Sequence, residues 1–321
     1  IFTSSEVNFM PVTPPDAAPR SNDNNYVNAG ANLSWQSELG SGWSSELNTT
    51  YSEYDFEFTI NTLAPGAPPF LSDNNIKDFN VVHQVSKQDD RSTLDFGLDY
   101  KWQEVSRFYQ NELGDSSLFM DQKNVGSSTI APFVNYEYIG LNKWYFQVGF
   151  RGTYYSSLDD FSIAPRVLIN YDLSDHFILK ASHGLYNQFL SQVKTLEYSS
   201  GGFDNELWTL ADNETGFIIR GMQSMTGATI SANRWIIDAE IFYKTANNIT
   251  IYEDKRLEPG NTFYTMDQIT YGVDLLTKRQ VNEMTDLWFG YSYHGSEIVI
   301  DTAREISYKS KFVQPHVFYI G

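Results

Sequence analysis

Five histidines, His83, His176, His183, His294 and His316, are the side chains best suited to acid–base or metal chemistry in a chain that has no cysteine. Near neutral pH both tasks fall to imidazole when thiolates are absent. None of the five stands at metal-ligand spacing from a second histidine or a glutamate, and neither a Gly-x-Ser-x-Gly elbow nor a phosphate loop occurs. His294 lies between Ser292 and Ser296, as an ordinary polar residue of a wet surface would. The chain reads as a non-enzyme, with no catalytic residue, metal or cofactor assigned.

Charged residues at alternate positions are more informative. Arg151, Arg166, Lys180, Asp238, Glu240 and Asp274, together with Glu137 and Lys278, fall opposite sets of large apolar side chains. Such charges are costly against lipid but at ease in a watery lumen or against a polar plug. A third group, Tyr198, Phe203 and Trp208, sits in the longest connection, 187–221, among Ser, Gly and acidic residues. Aromatic rings on a long loop can capture a ligand with little loss of entropy, or they can pack the loop onto its neighbours.

The elements that must position these residues are strands. Trp235, Ile237, Ala239, Ile241 and Tyr243 face one way while Asp238, Glu240 and Lys244 face the other. The same period recurs in Ile269, Tyr271, Val273 and Leu275, and again in Leu287, Phe289, Tyr291 and Tyr293. A period of two places each set on one face of a pleated strand. With 21 Tyr, 22 Phe and 7 Trp the chain is 16% aromatic, which suits a barrel with aromatic girdles and also the core of a soluble β-sandwich. Mean hydropathy is −0.39, and no apolar run reaches the roughly 18 residues of a membrane helix. A net charge of −18 argues against nucleic-acid binding. Acid clusters between the alternating segments, at Glu53, Asp55 and Glu57, and at Glu197, Asp204, Glu206, Asp212 and Glu214.

The alternation predicts about thirteen strands: 27–35, 43–51, 79–85, 94–102, 130–138, 144–154, 161–171, 177–186, 228–232, 235–251, 263–277, 287–293 and 317–320. Short polar turns at 38–42, 87–90, 140–142, 172–175, 233–234 and 280–286 rotate with mostly longer connections at 53–75, 103–126, 155–160, 187–221, 253–261 and 297–314. Every second turn lies on the same side of a meander, and bacterial barrels have short periplasmic turns and longer extracellular loops. A soluble sandwich needs no such rotation. Residues 1–24, with their proline-rich stretch, are expected to be the remnant of an extracellular loop, and Pro132 sits awkwardly inside a strand. The chain opens at Ile1 without a leader segment, and it is read as a mature form or a piece. The expected fold is all-β, a transmembrane antiparallel up-and-down β-barrel spanning 1–321, partial because an odd strand count leaves an open edge.

Several segments together resemble the barrel of TonB-dependent outer-membrane receptors. The run APRVLINYDLSDHFILKASHGLYNQF, at 164–189, is similar to a mid-barrel hairpin of that family, with His183 where an aromatic is usual. WIIDAEIFYKTANNITIYE, YGVDLLTKR, FGYSYHGSE and QPHVFYIG resemble later strands in the family's order, whereas residues 1–163 match only in alternation. The resemblance implies a barrel of about 22 strands whose plug domain is absent from this chain. It also implies a location in the outer membrane of a Gram-negative bacterium and contact with outer-membrane lipid. A TonB-type energy transducer would be the partner, acting through a missing N-terminal region. The substrate would be a scarce small molecule or oligosaccharide, such as a ferric siderophore or a vitamin. A passive porin and a soluble β-rich carbohydrate-binding module are the alternatives.

Overall fold

A computed structural model describes residues 2–9, 20–62, 70–113, 117–141, 143–195, 207–253, 262–300, 306–309 and 313–321. The strands are β1 (Phe2–Phe9), β2 (Arg20–Gly40), β3 (Trp43–Thr62), β4 (Phe70–Gln88), β5 (Ser92–Leu113), β6 (Ser117–Leu141), β7 (Trp144–Tyr155), β8 (Asp160–Ser174) and β9 (Phe177–Gln188). They continue as β10 (Leu190–Thr195), β11 (Leu207–Leu210), β12 (Ile219–Ala232), β13 (Trp235–Glu253), β14 (Thr262–Asn282), β15 (Thr285–Ile300), β16 (Ile306–Lys309) and β17 (His316–Ile320). From β1 to β9 each strand pairs antiparallel with the next. β12 then pairs with β9, and the wall runs on through β13, β14 and β15. β16 and β17 line different stretches of β15. Among the described residues no register pair joins β1 to β16 or β17, so the wall is an open sheet.

Each of the thirteen expected segments lies in a strand, and the short turns all fall at one end. Turns there use left-handed backbone: Gly40 and Gly42 have φ of 86° and 77° and Asn233 has 51°, and Ser41 and Arg234 adopt it beside them at 52° and 67°. A methyl group on Gly42 would meet the Gln88 carbonyl oxygen at 2.2 Å, so the turn is closed to larger residues twice over.

The outward face carries an apolar band between two rings of amphipathic aromatics. Trp43, Trp144 and Trp235 ring the short-turn end, backed by Lys87, Tyr171 and Arg279. Tyr51 and Tyr154 mark the other boundary, their hydroxyls donating to Glu53 and Asp159 at 3.2 and 2.9 Å. Trp43 and Tyr51 share β3, as Trp144 and Tyr154 share β7, so the rings lie about 27 to 34 Å apart along strands that rise ~3.4 Å per residue. At a tilt near 40° this spans roughly 21 to 26 Å, the height of an outer-membrane barrel's apolar band. Leu33, Leu98, Phe150, Ile163, Ile241 and Leu287 stand exposed within it.

Two differences from the sequence reading have physical causes. Strands extend far past the band: β5 has 22 residues and β6 has 25, where roughly 9 to 11 suffice to cross. Alternation fades above the lipid because both faces there meet polar surroundings, while the backbone ladder continues regardless. Thus 103–126, expected as a loop, is a long hairpin paired from Gln103↔Ser127 to Leu113↔Ser117. Likewise 1–24, expected as loop remnant, contains β1 and the start of β2, with Phe2 opposite Ala29 and Phe9 opposite Asn22. Pro132 is accommodated in a gap of the β6–β7 ladder, between the pairs Ile130↔Tyr154 and Phe133↔Arg151, so its missing N–H breaks no pair there.

Candidate functional site

The longest connection leaves the wall after β9 and returns at β12, and between them it folds inward over the upper inner face of β4, β5 and β6. Its β10–β11 hairpin pairs Leu190↔Leu210 through Val193↔Leu207. One register row receives it: Asn74, Arg107 and Lys123 stand directly opposite one another on β4, β5 and β6. Asn74 Oδ1 accepts the Trp208 backbone N–H at 2.8 Å. Arg107 Nη1 donates to Thr209 Oγ1 at 2.8 Å, and its guanidinium lies 5.4 Å over the Phe263 ring. Lys123 forms ion pairs with Asp212 and Glu214. Arg107 is only 3% exposed, so the docked loop has largely taken the place of water around a charge.

The segment following β11 is knotted around Asp212. Its Oδ1 accepts the backbone N–H groups of Glu214, Thr215 and Gly216 at 2.9, 2.7 and 3.0 Å. Oδ2 accepts the Thr215 hydroxyl at 2.9 Å. Burial alone would raise the Asp212 carboxyl, but the hydrogen bonds from Lys123, Thr215 and Glu214 outweigh it and hold the group at about 2. Tyr155 completes the seat: its hydroxyl donates to the Ala211 carbonyl at 2.8 Å and its ring stacks on Phe189 at 4.5 Å. Tyr155 and Ala211 are each 1% exposed.

Of the expected loop aromatics, Tyr198 and Phe203 lie outside the described residues. Trp208 is half-buried on β11, its backbone N–H held by Asn74 on the inner wall.

Lower in the barrel the expected luminal charges face inward, and most meet partners there. Lys180 binds both Asp238, at 2.7 Å, and Glu240, and Thr229 donates to Asp238 at 2.6 Å. Arg151 pairs with Asp99 at 2.5 Å. Asp274 lies 3.5 Å from His294, and Lys278 lies 2.9 Å from Asp286. Arg166 instead stacks on the Tyr186 ring at 4.9 Å. His183 stands on the opposite, outward face, its Nδ1 2.8 Å from the Ser224 hydroxyl. Asn74, Arg107 and Lys123 escaped the sequence reading, and Asp212 entered it only as one of an acidic cluster, although the signal is there: the inward period through Asp99, Lys101, Gln103 and Val105 leads to Arg107. The run Asp-Asn-Glu-Thr-Gly at 212–216 has the composition of a side-chain-capped turn.

No family model and no curated protein sequence matches the chain. Solved structures do. The ferric yersiniabactin uptake receptor FyuA from Yersinia pestis superposes with a TM-score of 0.64 at 10% identity, over 96% of this chain and 48% of FyuA. The FrpB iron transporter from Neisseria meningitidis gives 0.63 at 9% identity, over 95% and 51%. The copper transporter OprC gives 0.61 at 11% identity, over 92% and 52%. The chain has the barrel fold of TonB-dependent outer-membrane receptors. It spans about half the length of these structures. At this identity the likeness to TonB-dependent receptors is one of architecture, and the inward-folded mouth and luminal charges above are properties of this chain.

Proposed function

We propose that the chain forms wall and mouth of an importer that takes a scarce nutrient across a Gram-negative outer membrane. The observation that carries this reading is the β9–β12 connection, which folds into the mouth and is gripped by Asn74, Arg107 and Lys123. A loop held over the mouth offers the cargo a preformed surface and can move when cargo arrives, and the wall shares its fold with solved transporters and receptors. The same loop would narrow a passive channel, which the energy dependence of uptake separates from an importer. Energised release would come from a plug domain and a TonB-type inner-membrane partner. The matched structures serve copper in one case and ferric yersiniabactin in another, so the fold itself names no single cargo, and siderophore, vitamin and oligosaccharide are the classes to test. No catalytic step is assigned to His294.

The test is uptake by intact cells carrying or lacking the gene, with a panel of labelled ferric siderophores, cobalamin and oligosaccharides. Uptake of one cargo that needs the gene and stops when a protonophore collapses the inner-membrane gradient is the expected result. Gene-dependent flux indifferent to the protonophore would make the protein a passive channel. Recovery of the native protein in soluble form without detergent would favour the binding-module alternative.

A further inference from the structure

Several of the luminal charges named above are neutralised in pairs, whereas Arg166 forms no ion pair among the described residues and rests on a ring instead. Its register neighbours on both sides are glycines, Gly149 on β7 and Gly184 on β9. Without side chains there, the wall dips on either side of the arginine. Asn135 reaches into one dip, since a Cβ on Gly149 would lie 2.5 Å from Asn135 Oδ1. Tyr186 fills the other, since a Cβ on Gly184 would lie 2.9 Å from the Tyr186 hydroxyl. The guanidinium is therefore stacked on an aromatic face, which orients its plane and leaves the donor edges free. In front of it is a cavity of about 200 Å³ lined by Val82, Phe133, Asn135, Arg151 and Arg166. Arg151 at the far side already holds Asp99 at 2.5 Å. Asn135 can donate through its amide. The cavity thus presents one fixed, uncompensated guanidinium, one amide and a second guanidinium paired with Asp99, beside two apolar side chains.

We propose that this cavity is a carboxylate-binding site centred on Arg166. A planar guanidinium with free edges matches a carboxylate through two parallel hydrogen bonds. The carboxylate has two possible sources, a free small acid in the lumen or an Asp or Glu side chain of a protein segment seated there. The proposal rests on the barrel reading of the wall but on no particular cargo.

The experiment uses the full-length protein purified from membranes in detergent, with heat-modifiable migration on gels confirming that each variant is folded. In the first arm citrate is titrated calorimetrically into the parent and into Arg166→Gln. In the second arm Arg166→Lys is treated with a carbodiimide, which joins an amine to a carboxylate in direct contact, and the linked peptides are identified by mass spectrometry. Citrate binding that weakens by at least about tenfold in Arg166→Gln supports the site with a free acid as its ligand. A crosslink from position 166 to an Asp or Glu of the protein supports it with an internal carboxylate. Without a crosslink, citrate binding equal in parent and variant, or no citrate binding at all in folded protein, overturns it. A protein absent from the outer-membrane fraction would instead defeat the barrel reading, which keeps the two failures apart.

Discussion

Replacing Asp212 by Asn should loosen the mouth loop by an amount the structure allows to be worked out. The carboxyl is held at about 2 in the docked loop, against an ordinary aspartate value near 3.9. A depressed carboxyl stabilises the state that depresses it at every pH above its free value, and that stabilisation disappears as pH falls from about 4 towards 2. At pH 7 the whole contribution is present, roughly 2 to 3 kcal/mol by the linkage of ~1.4 kcal/mol per tenfold. The Asp212 side chain is 12% exposed, so water screens little of it. Asn is uncharged at all pH but retains one acceptor for the N–H groups of 214–216, so the docked-to-released ratio should fall roughly 10- to 30-fold.

The absence of cysteine makes the measurement clean. Ala211→Cys places the only thiol beside the carboxylate at a position 1% exposed in the docked loop. A maleimide can reach it only when the loop opens, so the labelling rate reads the open fraction. The rate should rise roughly 10- to 30-fold when Asp212→Asn is added to Ala211→Cys. A change below about threefold, or a thiol in the single variant that already labels like a free peptide, would mean that the Asp212 knot does not hold the loop.

The same linkage predicts that amides of 207–218 stay protected from hydrogen exchange at pH 5 and lose protection between about pH 4 and 2, the sign of a lowered carboxylate. Lys180→Met strands Asp238 and Glu240 side by side, and with side chains 19% to 24% exposed the loss should be about 1 to 3 kcal/mol. It would appear as a lower midpoint of heat-modifiable migration, partly restored by Glu240→Gln. Ile241→Lys puts a charge in the lipid band, where Ile241 is 59% exposed, and should cost about 2 to 4 kcal/mol. Lysine at the neighbouring luminal position Glu240 should assemble better, as scored by the folded fraction in membranes. Gly97→Val drives a Cβ to 2.2 Å from the His83 carbonyl oxygen and 2.7 Å from the Phe133 ring. Overpacking of this kind costs about 1 to 3 kcal/mol, and the assembled yield should fall.

How much of this was legible in the sequence depends on whether two faces of a strand meet different solvents. Between the Trp43 and Tyr51 levels one face meets lipid and the other water, so each residue type reports its side, and the luminal charges Lys180, Asp238, Glu240 and Asp274 could be placed inward from spacing alone. Above Tyr51 both faces are polar. There Asn74, Arg107 and Lys123 look like any solvated loop residues, although they form one register row. The row becomes visible only once β4–β5 and β5–β6 are paired, because register is a property of two strands and periodicity a property of one.

Pairing also decides what a charge is doing, which no single strand can reveal. Arg107, Arg151 and Arg166 are chemically identical and all face inward. Arg107 is buried beneath the loop it grips, Arg151 is matched by Asp99 on β5, and Arg166 is flanked by glycines in the row where a neighbouring strand could have supplied a carboxylate. The sequence separation between Arg151 and Asp99 is 52 residues, and between Arg107 and Thr209 it is 102, so neither partner could be found locally. The difference among the three arginines is what separates fixing a loop, balancing a wall and presenting a free guanidinium to the lumen. Substituting Arg151 should therefore strand Asp99 and weaken the wall, whereas Arg166→Gln, which strands no carboxylate in the wall, should leave assembly intact and change only what the lumen can bind.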